Sequence, residues 1–121
     1  MNKRKKLGQD GENLVSKYLS QKGFAIVAQN YRKRYGEIDL IAQKKDLIVF
    51  VEVKRRSKRF FDMCQLITFS KQKKIILVAK EYIARYGHDQ KVCRFDVALI
   101  EGDRITYLPN AFTEGESNGC W

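Results

Sequence analysis

Gly36-Glu37-Ile38-Asp39-Leu40-Ile41-Ala42, followed by Val49-Phe50-Val51-Glu52-Val53-Lys54, sets two acids and a lysine inside apolar, mostly β-branched runs that otherwise read as core strands. Burying a carboxylate is costly unless a cation or hydrogen bonds compensate, so packing alone does not account for Asp39, Glu52 and Lys54. Side chains alternate along a strand, so Glu52 and Lys54 project from the same face. Gln43-Lys44-Lys45-Asp46 is the polar break between the strands and reads as a hairpin turn. With Lys45-Asp46 as its two-residue loop, Asp39 falls opposite Glu52 with Cβ atoms about 5 Å apart. Like charges so placed repel, yet two converging carboxylates suit a hard divalent cation, which takes oxygen ligands. A one-residue slip of the register would send the two acids to opposite faces.

Leu47-Ile48-Val49-Phe50-Val51 is apolar at both parities, the pattern of a strand covered on both faces. A helix is predicted over residues 8–22, with Leu14, Val15, Tyr18 and Leu19 at helical spacing and Gly23 as its stop. A short strand over 24–30 leads into the hairpin. Residues 60–69 read as a loop or irregular element. Ser70 is placed to cap a second helix to about Tyr86, ended by Gly87. Strands over 94–100 and 104–108, joined by Glu101-Gly102-Asp103, complete the order α-β-β-β-α-β-β. The fold class is α/β, a mixed sheet flanked by helices.

The 121 residues are 44% hydrophobic and 12% aromatic, enough to build one core and too few for two domains. The expectation is one domain over 1–112 with a flexible tail over 113–121. No apolar run reaches membrane-spanning length, and Met1-Asn2-Lys3-Arg4-Lys5-Lys6 lacks the apolar core of a secretory signal, so a cytoplasmic location is expected. Cys64, Cys93 and Cys120 are widely spaced and suggest neither a disulfide framework nor a zinc site. His88 is the sole histidine and lies in a loop-like stretch, which removes a His-dependent triad from consideration.

Against 14 Asp+Glu stand 24 Lys+Arg, a formal net charge of +10. Such an excess draws polyanions. It is clustered beside the acidic strands and interleaved with aromatics, as phosphate contact with base stacking requires. Arg32, Lys33 and Arg34 precede the first strand; Arg55, Arg56, Lys58 and Arg59 follow the second; Lys71 and Lys73 come soon after. Nucleic acid or an anionic membrane surface could meet such charge; the interleaved aromatics favour nucleic acid over a membrane, and a homodimer stays open.

The chemistry that fits is phosphodiester hydrolysis. Asp39 and Glu52, with the backbone carbonyl of Val53, would hold Mg²⁺ or Mn²⁺, and Lys54 would orient a water and offset charge growing on the phosphate. Glu12 lies beside the inner face of the first helix, where a third acid could approach; its plainer role is to favour the helix N-terminus electrostatically. Asp96 is another acid in an apolar strand, with Arg94 on the same face, and a structural ion pair is the preferred reading. Gln72 and Lys73 could face either the acids or solvent.

An acid in an opening helix, an Asp in a strand and Glu-x-Lys in the next resemble the PD-(D/E)xK nuclease superfamily, which includes restriction endonucleases and archaeal Holliday-junction resolvases. Gly8 with Gly11-Glu12, Asn30-Tyr31-Arg32, Gly36-Glu37-Ile38-Asp39-Leu40-Ile41, Val49-Phe50-Val51-Glu52-Val53-Lys54, Ser70-Lys71-Gln72, Arg94-Phe95-Asp96-Val97 and Asn110-Ala111-Phe112 together resemble the YraN-like family of bacterial predicted endonucleases. The resemblance implies a restriction-endonuclease-like αβββαβ core, a divalent metal at Asp39 and Glu52, Lys54 beside it and Glu12 on the helix. Arg59-Phe60-Phe61-Asp62-Met63-Cys64 departs from the family pattern, which has a glycine shortly after the Glu-x-Lys strand.

Overall fold

The Lys45-Asp46 turn fixes the hairpin register and with it the centre of the sheet. Lys44 pairs with Leu47, and the ladder continues through Gln43↔Ile48, Ala42↔Val49 and Ile41↔Phe50 to Leu40↔Val51. Lys45 adopts a left-handed φ of 55°, as tight hairpin loops demand. The structure is a computed structural model that describes residues 3–55, 66–88 and 90–115, with the side chains of 3–9 left aside. Its elements are α1 (Lys3–Gln21), β1 (Ala25–Lys33), β2 (Gly36–Lys44), β3 (Leu47–Arg55), α2 (Phe69–Tyr86), β4 (Val92–Glu101) and β5 (Arg104–Phe112).

The five strands lie in the order β1-β2-β3-β4-β5. Neighbours are antiparallel except β3 and β4, which are parallel because α2 carries the chain back to the same end of the sheet. On one face α1 packs Val15 and Leu19 against Leu40, Val49, Val51, Ala98 and Ile100. On the other, α2 packs Ile75, Val78, Ala79 and Tyr82 against Ile38, Ile41, Phe50 and Val97. A helix on each face is what the two-parity apolar pattern of β3 requires. No helix of the described residues is long and apolar enough to cross a membrane.

Several boundaries differ from the expected ones. The cap of α2 is Thr68, not Ser70: Thr68 is extended and its hydroxyl accepts the Lys71 N–H at 3.2 Å. Ser70 thus lies inside the helix, and the buried Leu66 and Ile67 ahead of the cap anchor its entry. Gly87 closes the helix with a φ of 70°. Both outer strands run on past the expected ends, β1 to Lys33 and β5 to Phe112. Asn30 and Asn110 each take a φ of 52°, bending these edge strands where a stop is expected; asparagine tolerates that region. Of the irregular stretch 60–69, residues 60–65 lie outside the described residues, as do 116–121 of the expected tail; Glu114, ahead of them, pairs with Lys80.

Candidate functional site

Beyond Leu40↔Val51 the β2–β3 ladder gives way, and Asp39 lies at that point. Its Oδ2 accepts the Val53 N–H at 2.8 Å, so a side chain takes over a bond that a neighbouring backbone carbonyl would otherwise supply. Across β1, Gln29↔Leu40 and Tyr31↔Ile38 flank the position, and the residue between the two β1 partners is the left-handed Asn30. Face alternation is interrupted here: Ile38 and Ile41, three apart, both pack on the α2 side, while Leu40 and Ala42 pack on the α1 side. The predicted register is thus present in the hairpin, but Asp39 and Glu52 meet at a splay instead of forming a regular ladder pair.

Glu52 is buried at the α2 side of β3. Its Oε1 lies 3.1 Å from Lys71 Nζ and 3.7 Å from Lys54 Nζ. Burial, reinforced by Glu52 and opposed by the Val53 hydrogen bond, pushes the Asp39 carboxyl up to about 7. Among the described residues no basic side chain forms an ion pair with Asp39.

Asp96 supplies the contrast. It too is an acid in an apolar strand and accepts a backbone N–H where a ladder shifts, from Asn110 at 2.8 Å. It also accepts from Nε and Nη2 of the Arg94 guanidinium, each at 2.9 Å, and from the Tyr107 hydroxyl. The Tyr107 hydroxyl is pushed up by burial and by Asp96. Asp96 is therefore a compensated structural acid in the Arg94 pair that the sequence pattern indicates, whereas Asp39, among the described residues, has the Val53 hydrogen bond and a second carboxylate for company.

Glu12 enters from α1. Burial raises its carboxyl, a hydrogen bond from Asn30 opposes the rise, and Glu37 and Glu52 contribute through space. Its Oε1 is buried without a hydrogen-bond partner. Among the described residues no three His, Cys, Asp or Glu side chains gather closely enough to share one metal ion, so Glu12 does not complete a ligand set with Asp39 and Glu52. A divalent cation suits the pair all the same: Asp39 is pushed up by burial and a facing carboxylate, and Glu12 Oε1 lacks a donor, which together mark a deficit of positive charge.

The basic residues separate into distinct environments. Arg32 pairs with Glu37 at 2.8 Å and Lys33 with Glu81 on α2 at 2.9 Å; Arg34 is exposed in the turn. Arg55 belongs to the opposite face from Lys54, and its Nη1 donates to the Gly102 carbonyl at 3.0 Å. It ties down the β4–β5 turn. Arg56, Lys58 and Arg59 lie outside the described residues. Lys73 is exposed with its ammonium over the Phe69 ring, and Gln72 is buried, donating to the Ile67 carbonyl at 3.0 Å, so neither contact is with the acids. Lys71, expected among the phosphate contacts, meets Glu52, and Asn30, for which the spacing predicts no role, meets Glu12; the signals available are that Lys71 lies in the first turn of the helix that follows the acidic strands and that Asn30 precedes Tyr31 in β1.

The family profile described as "Uncharacterised protein family UPF0102" matches residues 11–100. The chain belongs to this family. It is the YraN-like family to which the motifs point. A UPF0102 protein of Nitrosomonas eutropha is 43% identical over 117 residues, covering 95% of this chain and 100% of its own. Those of Clostridioides difficile and Alkaliphilus metalliredigens are 45% and 42% identical, covering 93% and 89% of this chain and 100% and 98% of theirs. Among solved structures, Archaeoglobus fulgidus Hjc, a Holliday junction resolvase from an archaeal hyperthermophile, superposes on the UPF0102 chain with a TM-score of 0.53 at 16% identity, over 91% of this chain and 83% of that one. The fold is therefore resolvase-like.

Proposed function

We propose that this UPF0102 chain is a divalent-cation-dependent endonuclease that hydrolyses phosphodiester bonds in DNA, with branched DNA the first substrate to try. The observation that carries the reading is the contrast between the two strand acids: Asp96 is neutralised by Arg94, whereas Asp39 is paired with a second carboxylate and pushed up to about 7. The resolvase-like fold supports the same reading.

Asp39, Glu52 and the Val53 carbonyl would hold Mg²⁺ or Mn²⁺, which when bound supplies Lewis acidity toward a phosphate oxygen and a more acidic water. The Val53 N–H keeps the Asp39 carboxylate oriented at the opening between the strands. Lys54 projects from the same strand face as Glu52, its Nζ 3.7 Å from the Glu52 carboxylate. From there its ammonium can donate to an attacking water or a phosphate oxygen and offset the charge that builds during displacement. Arg34 is an exposed cation near enough in sequence to the first acidic strand to contact the flanking backbone phosphates.

The test is cleavage of four-way-junction, flapped, duplex and single-stranded DNA by the full chain in Mg²⁺ or Mn²⁺ and in EDTA. Cleavage is expected only with metal, and Asp39→Asn, Glu52→Gln and Lys54→Ala should each lower it by about 10²-fold or more. Activity surviving in all three variants refutes the assignment. Salt-dependent DNA binding with no cleavage under any condition establishes instead a nucleic-acid-binding module with a nuclease-like fold but no turnover.

A further inference from the structure

Two ammonium groups share one oxygen of Glu52, and they are not equivalent. Lys54 springs from the same strand, and its side chain is 19% exposed, whereas Lys71 reaches over from the first turn of α2 and is 45% exposed. The backbone of Lys71 is pinned by the Thr68 cap, so any movement is confined to its long side chain. That side chain borders a second compartment. A cavity of about 260 Å³ lies between the β1–β2 turn and the start of α2, lined by Lys71, Gly36, Thr68, Ser70, Lys74 and the Arg32-paired Glu37.

Lysine is disfavoured in the first turn of a helix, where the macrodipole is positive, yet the first turn of α2 carries Lys71 with no acid beside it. The Glu52 carboxylate is what offsets that placement. A divalent cation and an ammonium cannot both stay within about 3 Å of one carboxylate oxygen without strong mutual repulsion.

Resting on the reading of Asp39 and Glu52 as a divalent-cation site, we infer that Lys71 is the resident counter-cation of this carboxylate pair. It holds Glu52 when no divalent cation is present, yields to one, and moves its ammonium toward the adjoining cavity, where a backbone phosphate of the nucleic acid meets it. Lys71 is in this sense a positioning residue. It weakens metal binding to the free protein and couples metal binding to substrate binding, because the displaced ammonium gains a phosphate partner only when substrate is present.

Calorimetric titration of the full chain with Mn²⁺, alone and with a non-cleavable phosphorothioate junction, tests this. Removing the competing charge with Lys71→Gln or Lys71→Met should tighten Mn²⁺ binding to the free protein by about three- to tenfold, whereas Lys71→Arg should stay near wild type. The junction should tighten Mn²⁺ binding to wild type more than to either neutral variant, which keeps only the coupling that comes from the metal's own contact with phosphate; an equal effect in wild type and the neutral variants overturns the coupling role of Lys71. Wild-type binding that Lys71→Gln and Lys71→Met leave unchanged or weaken, with circular dichroism showing an intact fold, overturns the inference alone. Absence of Mn²⁺ binding by wild type overturns the metal reading and the inference with it.

Discussion

Neutralising the Asp39 carboxylate should stabilise the metal-free protein, and the gain should depend on pH. Asp39 is buried and pushed up to about 7 from an ordinary 3.8, chiefly by burial and by Glu52. A carboxyl raised in the folded state favours the protonated form. Its contribution to stability is complete below 3.8 and is lost as pH rises through about 7. A displacement of about three units corresponds to roughly 4 kcal/mol as an upper bound, at about 1.4 kcal/mol per unit. Relaxation and water entry reduce this to about 2 kcal/mol. Asp39→Asn removes the charge but keeps an oxygen to accept the Val53 N–H. The variant should therefore match wild type near pH 4 and exceed it by about 2 kcal/mol at pH 8 to 9, a rise of about 6–12 °C in melting temperature for a domain of this size. Thermal melts in EDTA at one-unit pH steps provide the curve. Addition of Mn²⁺ at pH 8 should raise the wild-type melting temperature and leave the variant unchanged, because the ligand that would bind the cation has lost its charge. A difference that is flat with pH, or a variant less stable than wild type at pH 8 to 9, would refute the account of Asp39 as an uncompensated acid.

The compensated acid behaves differently. Tyr107→Phe removes one donor to the fully buried Asp96 and leaves Arg94 and Asn110 in place, so urea unfolding should show a loss of about 1–2 kcal/mol. Thr68→Ala deletes the cap of α2 and should cost about 1 kcal/mol, with hydrogen exchange faster in the first turn of the helix than elsewhere in it. Gly36→Ala would bring a Cβ to 3.2 Å from Val78 Cγ2 and 3.4 Å from Lys74 Cβ; it should lower stability by about 1 kcal/mol in chemical denaturation by forcing the β1–β2 turn away from α2.

The element order, the mixed α/β class and the hairpin register at the centre of the sheet were legible in the chain, because each rests on local patterns. The polar break Gln43-Lys44-Lys45-Asp46 between two apolar runs marks a turn, and the apolar run of β3 requires cover on both faces. The Arg94-Asp96 pair was legible for the same reason, since residues two apart on a strand share a face. The outer strands run past the expected ends because β1 and β5 continue through Asn30 and Asn110, whose left-handed φ values would end a strand that had no neighbour, and only pairing with β2 and β4 carries them on.

The candidate site divides along the same line. The sequence by itself determined which residues carry unexplained charge: Asp39, Glu52 and Lys54 are conspicuous because a buried strand has no cheap place for them. Only the tertiary structure decided how those charges are balanced. That Asp39 receives a backbone N–H and, among the described residues, no ion pair, that Glu52 receives Lys71 from the next helix, and that Glu12 meets Asn30 are outcomes of which elements pack together. Electrostatic energies depend on distances and burial that no spacing along the chain encodes.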